Sequence, residues 1–180
     1  MKDQDRVIFH IDVNSAYLSF EAVYRLQHGE TVDLREIPSA VAGSQASRHG
    51  IILAKSIPTK KYGIKTGEAT WEAKNKCPNL VTVPPNYALY MCCHQALVEL
   101  VRDYTDRVQV FSIDECFLDM TGMELLGPPH AVANEIRERI KQELGFTVSI
   151  GVSTNKLLAK MGSELKKPDA VTTLYPHEME

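Results

Sequence analysis

The chain has no run of roughly eighteen apolar residues, the length a membrane-spanning helix needs, so no membrane contact is expected. It has no leader-like start either. Met1-Lys2-Asp3-Gln4-Asp5-Arg6 is polar and passes straight into an apolar strand pattern, which does not read as a signal peptide. Cysteine is scarce: Cys77, Cys92, Cys93 and Cys116 form neither a CxxC pair nor a Cys/His zinc spacing, which argues for reduced thiols and a cytoplasmic location. An excess of positive charge is also missing. With 20 Lys and Arg against 23 Asp and Glu, the net charge is −3, so no overall basic face of the kind that grips a phosphate backbone is present. Any such grip is concentrated locally or lies outside these 180 residues. No internal repeat and no low-complexity tract occurs. What remains is 44% hydrophobic, enough for one well-buried domain or a domain with a small appendage.

The apolar pattern predicts a buried strand over Val7 to Val13, then a helix capped by Asn14 and stopped at His28-Gly29. Pro38 to Ala42 and Gly50 to Lys55 read as a hairpin with Gly43-Ser44-Gln45 at its turn. A short helix follows over Ser56 to Tyr62, ended by Gly63, then a helix from about Glu68 to Cys77 and a strand over Leu80 to Val83. Tyr87 to Tyr104 is a longer helix. Val108 to Asp114 and Cys116 to Met120 suit an antiparallel hairpin whose acidic tip lies beside the first strand. Ala131 to Leu144 is helical, Phe146 to Val152 a strand, Asn155 to Lys166 a helix, and Val171 to Leu174 a last strand. Helices and strands alternate around an antiparallel centre, which predicts an α+β fold with helices mainly on one face of the sheet.

Two acidic motifs stand in strand-like runs about a hundred residues apart: Phe9-His10-Ile11-Asp12-Val13 and Phe111-Ser112-Ile113-Asp114-Glu115. Carboxylates in buried strands are costly to desolvate unless a cation compensates them. Divalent metals held between carboxylates are the common machinery of nucleotidyl transfer. Asp12, Asp114 and Glu115 therefore form a candidate metal cage, with the Val13 carbonyl as a further oxygen ligand. One strand-end aspartate alone is better explained as a turn or helix cap; two matched sites weaken that explanation. Asp119 lies past the turn and is better explained by local backbone bonding.

A basic constellation accompanies the acids. Lys55, Lys60 and Lys61 surround the short helix, and Lys160, Lys166 and Lys167 lie on or just past the last helix. Any one of them is by default a solvated surface lysine. Facing a metal site, they would neutralise triphosphate oxygens.

These motifs resemble the Y-family translesion DNA polymerases, the DinB/UmuC-like group, from Val7 to about Ala170. The landmarks are Asp12-Val13-Asn14-Ser15-Ala16-Tyr17, then Ser112-Ile113-Asp114-Glu115. The fingers-like segment runs from Gly50 to Gly67. Ser149-Ile150-Gly151-Val152-Ser153-Thr154-Asn155-Lys156 with Leu158-Ala159-Lys160 and Lys166-Lys167-Pro168 close the match. The resemblance implies a polymerase palm, a ferredoxin-like mixed sheet, in residues 1–34 and 80–180, with a small fingers subdomain in 35–79. It implies two Mg²⁺, with Mn²⁺ able to substitute, on Asp12, Val13, Asp114 and Glu115. Tyr17 falls at the family's steric gate against the sugar C2′, and Lys60 and Lys167 at triphosphate contacts. Ile51 and Gly67 align with residues over the templating base. Primer-template DNA and a dNTP would be the partners, with a sliding clamp reached through regions beyond this chain.

Three departures accompany the match. Ile57-Pro58-Thr59-Lys60 stands where many DinB-type members carry Tyr-x-x-Arg, exchanging a planar guanidinium for a point charge. Ala54 replaces a hydroxyl found in some members. The thumb and little-finger domains of the family have no counterpart here, so the chain reads as the palm and fingers portion of a longer polymerase. Two other functions fit parts of the pattern. A GGDEF-type nucleotide cyclase shares the palm-like fold and would suit Phe146 to Val152, but it places two glycines where this chain has Ser112-Ile113. A polymerase-like accessory protein would keep the fold without the carboxylates, and all three are present.

Overall fold

The computed structural model describes residues 6–44 and 50–178. In chain order these form β1 (Ile8–Val13), α1 (Ala16–Gln27), β2 (Ser39–Ala42), β3 (Ile52–Lys55), α2 (Thr70–Lys76), β4 (Val81–Val83), α3 (Tyr87–Val101) and β5 (Val108–Val110). β6 (Glu115–Asp119), α4 (Pro129–Arg139), β7 (Val148–Ser153), α5 (Lys156–Leu165) and β8 (Val171–Thr173) complete them. The chain divides into two compact units, Met1–Asn14 with Met91–Glu180, and Ser15–Tyr90.

The first unit is built on a sheet of order β5-β6-β1-β7-β8. β1 is central, antiparallel to both β6 and β7, while β8 runs parallel to β7. All six residues of β1 are buried, which explains why its sequence is nearly continuous apolar rather than alternating. α5 covers the face that carries Ile8, His10 and Asp12. Its buried stripe is Leu158, Ala159, Gly162 and Ser163, and Asn155 caps it by accepting from the Leu158 N–H at 2.9 Å. α4 buries Val132, Ala133 and Ile136 and packs on β7 and β8, with Val132 and Phe9 lining one small cavity on the opposite face. Helices thus cover both faces, where the sequence pattern places them mainly on one. The reason is Gly151: a Cβ there would sit 1.8 Å from the Ala159 carbonyl oxygen, so only glycine lets the α5 backbone approach β7. α4 runs on as a π-helical extension, Ile140–Leu144, ended by Gly145 at φ 82°.

In the second unit, β2 pairs antiparallel with β3 and parallel with β4. α1 packs on one side through Leu18 and Ala22, against Val41, Ala54 and Val83. Ile64, Ala73, Cys77 and Leu80 fill the other side against Ala40, Ala42 and Ile52. A 3₁₀ helix, Ile57–Tyr62, ends at Gly63 with φ 66°. Val81–Val83 therefore hydrogen-bonds to β2 within residues 15–90, whereas the family boundaries group everything from residue 80 onward with the acidic hairpin. α1 likewise packs on β2 and β3. Gln45, part of the expected hairpin turn, lies outside the described residues. α2 begins at Thr70 rather than near Glu68, whose carboxylate instead accepts from the Lys65 N–H and from Lys76.

The residue directly before α1 is Ser15, in the left-handed region at φ 45°, and its side chain caps nothing. Asn14, the expected cap, also bonds to the sheet. Its Nδ2 donates to Ser149 Oγ at 2.9 Å, and its Oδ1 accepts from Thr147 Oγ1 at 3.0 Å and from the Asp169 N–H at 2.9 Å.

The thiols differ sharply in environment. Cys116 is buried on β6 and burial pushes its thiol up to about 12, whereas Cys92 is exposed. A disulfide reagent at pH 8 will therefore modify Cys92 in the native protein and reach Cys116 only on unfolding. Native-state labelling of Cys116, read by peptide mass, would contradict the packing described here.

Candidate active site

The register of β1 on β6 sets Asp12 directly opposite Glu115. Cross-strand partners point to the same face, so the two carboxylates come side by side. The Asp12 side chain is 8% exposed and that of Glu115 17%, too dry for two like charges to be left alone. Each has its own ammonium. Lys167 Nζ lies 2.7 Å from Asp12 Oδ2, and Lys160 Nζ lies 2.6 Å from Glu115 Oε2. Burial still pushes the Asp12 carboxyl up to about 6, against the pull of Lys167. Burial also works against the Lys167 ammonium, but its hydrogen bonds to Asp12 and Glu164 hold it above its ordinary value. Glu164 Oε1 accepts from Lys167 Nζ at 2.7 Å.

Beneath the pair lies His10, fully buried. Ser163 Oγ donates to the Lys160 carbonyl at 2.7 Å, so it accepts from His10 Nδ1–H, also at 2.7 Å. His10 Nε2 has no hydrogen-bond partner and stands 3.5 Å from Glu115 Oε2. Burial lowers the imidazole below its usual range, against the opposing pull of Glu115. The hairpin tip is pinned by its backbone. The Val13 N–H donates to the Asp114 carbonyl at 2.9 Å, and a His94 Nδ1–H donates to the Ile113 carbonyl at 2.9 Å. The Asp114 carboxylate takes a hydrogen bond from Ser112 Oγ at 2.6 Å. Asp119, as expected of a residue past the turn, accepts from the Thr121 N–H at 3.0 Å.

The sequence pattern of the impB/mucB/samB family matches residues 11–164, a span that starts one residue before Asp12 and takes in Glu115 and Lys160. The chain belongs to this family. Within it, the DNA polymerase IV of Clostridium acetobutylicum is 51% identical over 97% of this chain and 44% of its own length. That of Acetivibrio thermocellus is 53% identical over 96% of this chain and 42% of its own. The chain thus spans less than half the length of these relatives. Among solved structures, DinB from Sulfolobus solfataricus is similar at TM-score 0.82 and 25% identity, over 96% of this chain and 49% of that one. A Y-family DNA polymerase chimera reaches TM-score 0.84 at 24% identity, a likeness of fold.

A divalent metal goes with this family, and the donor set suits one. Asp12 and Glu115 offer hard oxygen ligands, and the raised Asp12 carboxyl marks a negative charge that burial leaves short of compensation. Asp114 does not join them. Among the described residues no three His, Cys, Asp or Glu side chains are grouped so as to hold one metal ion, and the Asp114 carboxylate is held by Ser112. The remaining sequence-derived residues of this impB/mucB/samB chain lie in the second unit. Tyr17 is half-buried, stacked on Tyr90 at 4.5 Å and edge-on to Tyr87 at 5.9 Å. Ile51 is exposed and bridges to Ala69, while the Gly67 N–H donates to the Ile52 carbonyl at 2.8 Å, so Ile51 and Gly67 share one patch. Lys60 is exposed on the 3₁₀ helix.

Sequence reasoning missed the roles of His10, Ser163 and Glu164. For His10 a signal existed: it precedes Asp12 by two, which in a strand places both on one face. Ser163 and Glu164 carry no such signal, because their places depend on how α5 crosses β7.

Proposed function

We propose that this chain is the palm and fingers portion of a Y-family DNA polymerase, which adds dNTPs to a primer 3′-hydroxyl across damaged templates. The observation that carries it is the cross-strand pair Asp12–Glu115, each carboxylate held by a lysine, in a chain more than half identical to a DNA polymerase IV. In this proposal the palm includes the β5-β6-β1-β7-β8 sheet and the fingers lie in the second unit. Mg²⁺ bound by Asp12 and Glu115, with the Val13 carbonyl and, once turned from Ser112, the Asp114 carboxylate as further ligands, would supply charge neutralisation and activation of the attacking hydroxyl. Lys167 and Lys60 would hold the triphosphate. Tyr17, its ring fixed by Tyr90, would exclude a 2′-hydroxyl. Ile51 and Gly67 would meet the templating base, and a sliding clamp would engage regions outside this chain.

A crystal soaked with Mn²⁺ and a dNTP, read by anomalous scattering, tests this directly. The expected result is Mn²⁺ at Asp12 and Glu115 with the sugar against Tyr17. Binding of GTP alone, with the sugar turned from Tyr17, would favour a cyclase; carboxylates that take no metal would favour an accessory platform. These 180 residues alone are expected to extend a primer poorly, since they span 44% of a relative's length. Extension at the rate of a full-length relative would sink the assignment of DNA grip to other regions.

A further inference from the structure

Lys167 does not stand free beside the carboxylates. Its ammonium lies on Asp12 Oδ2 at 2.7 Å and on Glu164 Oε1 at 2.7 Å, and its side chain is 31% exposed. Glu164 is 53% exposed and sits three residues earlier, in the last turn of α5, so it is the wetter of the two acceptors. The backbone just beyond is tied down. Asp169 donates its N–H to Asn14, and its carboxylate takes Arg137 at 2.5 Å and Lys141 at 2.7 Å. The root of Lys167 is thereby fixed two residues from an anchored point, while its long stem can turn between two carboxylates.

A divalent ion and an ammonium on one buried carboxylate would stand about 4 Å apart, where like charges repel strongly unless water screens them. We infer that Lys167 is the resident counter-ion of Asp12 in the metal-free protein, that the first divalent cation displaces it, and that Glu164 is the acceptor that holds it once displaced. Glu164 also interacts with Asp12 directly; its part in the exchange is to hold the displaced Lys167, as a positioning residue. This rests on the reading of Asp12 and Glu115 as metal-binding carboxylates. It adds a consequence: cation affinity in the free protein is set by the competition from Lys167 as much as by the carboxylates. Among the described residues Lys160 pairs with Glu115 and makes no second ion pair, so the exchange belongs to the Asp12 side.

The test is Mn²⁺ binding to the full 180-residue chain without nucleotide, with free ion counted by electron paramagnetic resonance. Lys167→Met is expected to tighten Mn²⁺ about tenfold, whereas Lys166→Met, removing the same charge from the neighbouring exposed lysine, changes it about twofold or less. No tightening in Lys167→Met, or an equal gain in Lys166→Met, overturns the inference. Glu164→Gln should weaken Mn²⁺ more in the native background than in Lys167→Met; equal weakening in both would mean that Glu164 acts on the ion directly, and would overturn its role as the acceptor of Lys167. Asp12→Asn serves as the separate control. If it binds Mn²⁺ as the native chain does, the metal-site reading fails, whatever the lysine does. Should Lys167→Met not fold, the ¹⁵N signal of the Lys167 ammonium in the native chain gives the same answer. It shifts on adding Mg²⁺ if the ammonium is displaced, and an unchanged signal overturns the proposal.

Discussion

The Asp12→Asn substitution is expected to stabilise the metal-free protein, while the matching change in a full-length DNA polymerase IV relative should cut primer extension roughly a thousandfold. The two effects share one cause. A buried carboxylate whose folded-state value is raised from 3.8 to about 6 ionises less readily in the fold than in the unfolded chain. Its contribution to stability is complete below about pH 4 and is lost as pH rises through about 6, so at pH 7.5 the ionised Asp12 is a net burden. At about 1.4 kcal/mol per unit, with the pull of Lys167 already included, this amounts to about 1–3 kcal/mol. For a chain of this length that corresponds to a rise of about 3–8 °C in melting temperature. Catalysis moves the other way, because losing one metal-binding carboxylate removes about 4 kcal/mol of transition-state charge stabilisation. Calorimetry at pH 7.5 and pH 5 decides the first part: the gain should shrink at the lower pH. A variant less stable than the native chain at both pH values would show that the Asp12–Lys167 bond outweighs burial.

The second large effect belongs to Gly151. In Gly151→Val the new Cβ would fall 1.8 Å from the Ala159 carbonyl oxygen and 2.5 Å from the Ser163 backbone nitrogen, so α5 must lift off β7. Overpacking usually costs about 1–3 kcal/mol when side chains can yield. Here helix backbone blocks the way, and lifting α5 would also carry Ser163 off His10 and Lys160 off Glu115. A loss of at least about 3 kcal/mol, or failure to fold, is expected from urea melts. Gly162 provides the contrast. A Cβ there meets the Thr172 carbonyl oxygen at 3.3 Å and Gly151 Cα at 3.4 Å, so Gly162→Ala asks for a shift of tenths of an ångström. It should cost about 1 kcal/mol or less. Equal losses from both would mean that α5 is free to move outward.

The hairpin of β5 and β6 and its place beside β1 were legible in the sequence, because apolar strands bounded by an acidic turn leave little choice of partner. The register that sets Asp12 opposite Glu115 needed the fold, since a slip of one residue would turn the carboxylate to the other face. The fate of Asn14 was not legible. A helix cap is a local rule, and Asn14 also answers to Thr147, Ser149 and Asp169, residues more than a hundred positions away. Val81–Val83 was recognised as a strand but not as a partner of β2, since three apolar-leaning residues fit either sheet. The position of α5 was hidden in a single glycine, and with it the bonds that bring Ser163 and Glu164 to the site. Asp114 was named with Asp12 and Glu115 on motif grounds, and the side chain that holds it, Ser112, lies in the same motif.

The order of strands has a bearing on how the polypeptide is made. β1 lies between β6 and β7, so during synthesis it has one edge open until Glu115–Asp119 has followed and the other until Val148–Ser153. The ammonium that accompanies Asp12 arrives later still, at position 167. Until then Phe9, Ile11 and Val13 are apolar side chains without their final neighbours, in a strand with unpaired edges, the condition in which nascent chains associate with one another. The polar side of the same strand, His10 and the ionised Asp12, works against that association, so the carboxylate that burdens the finished fold protects the unfinished one.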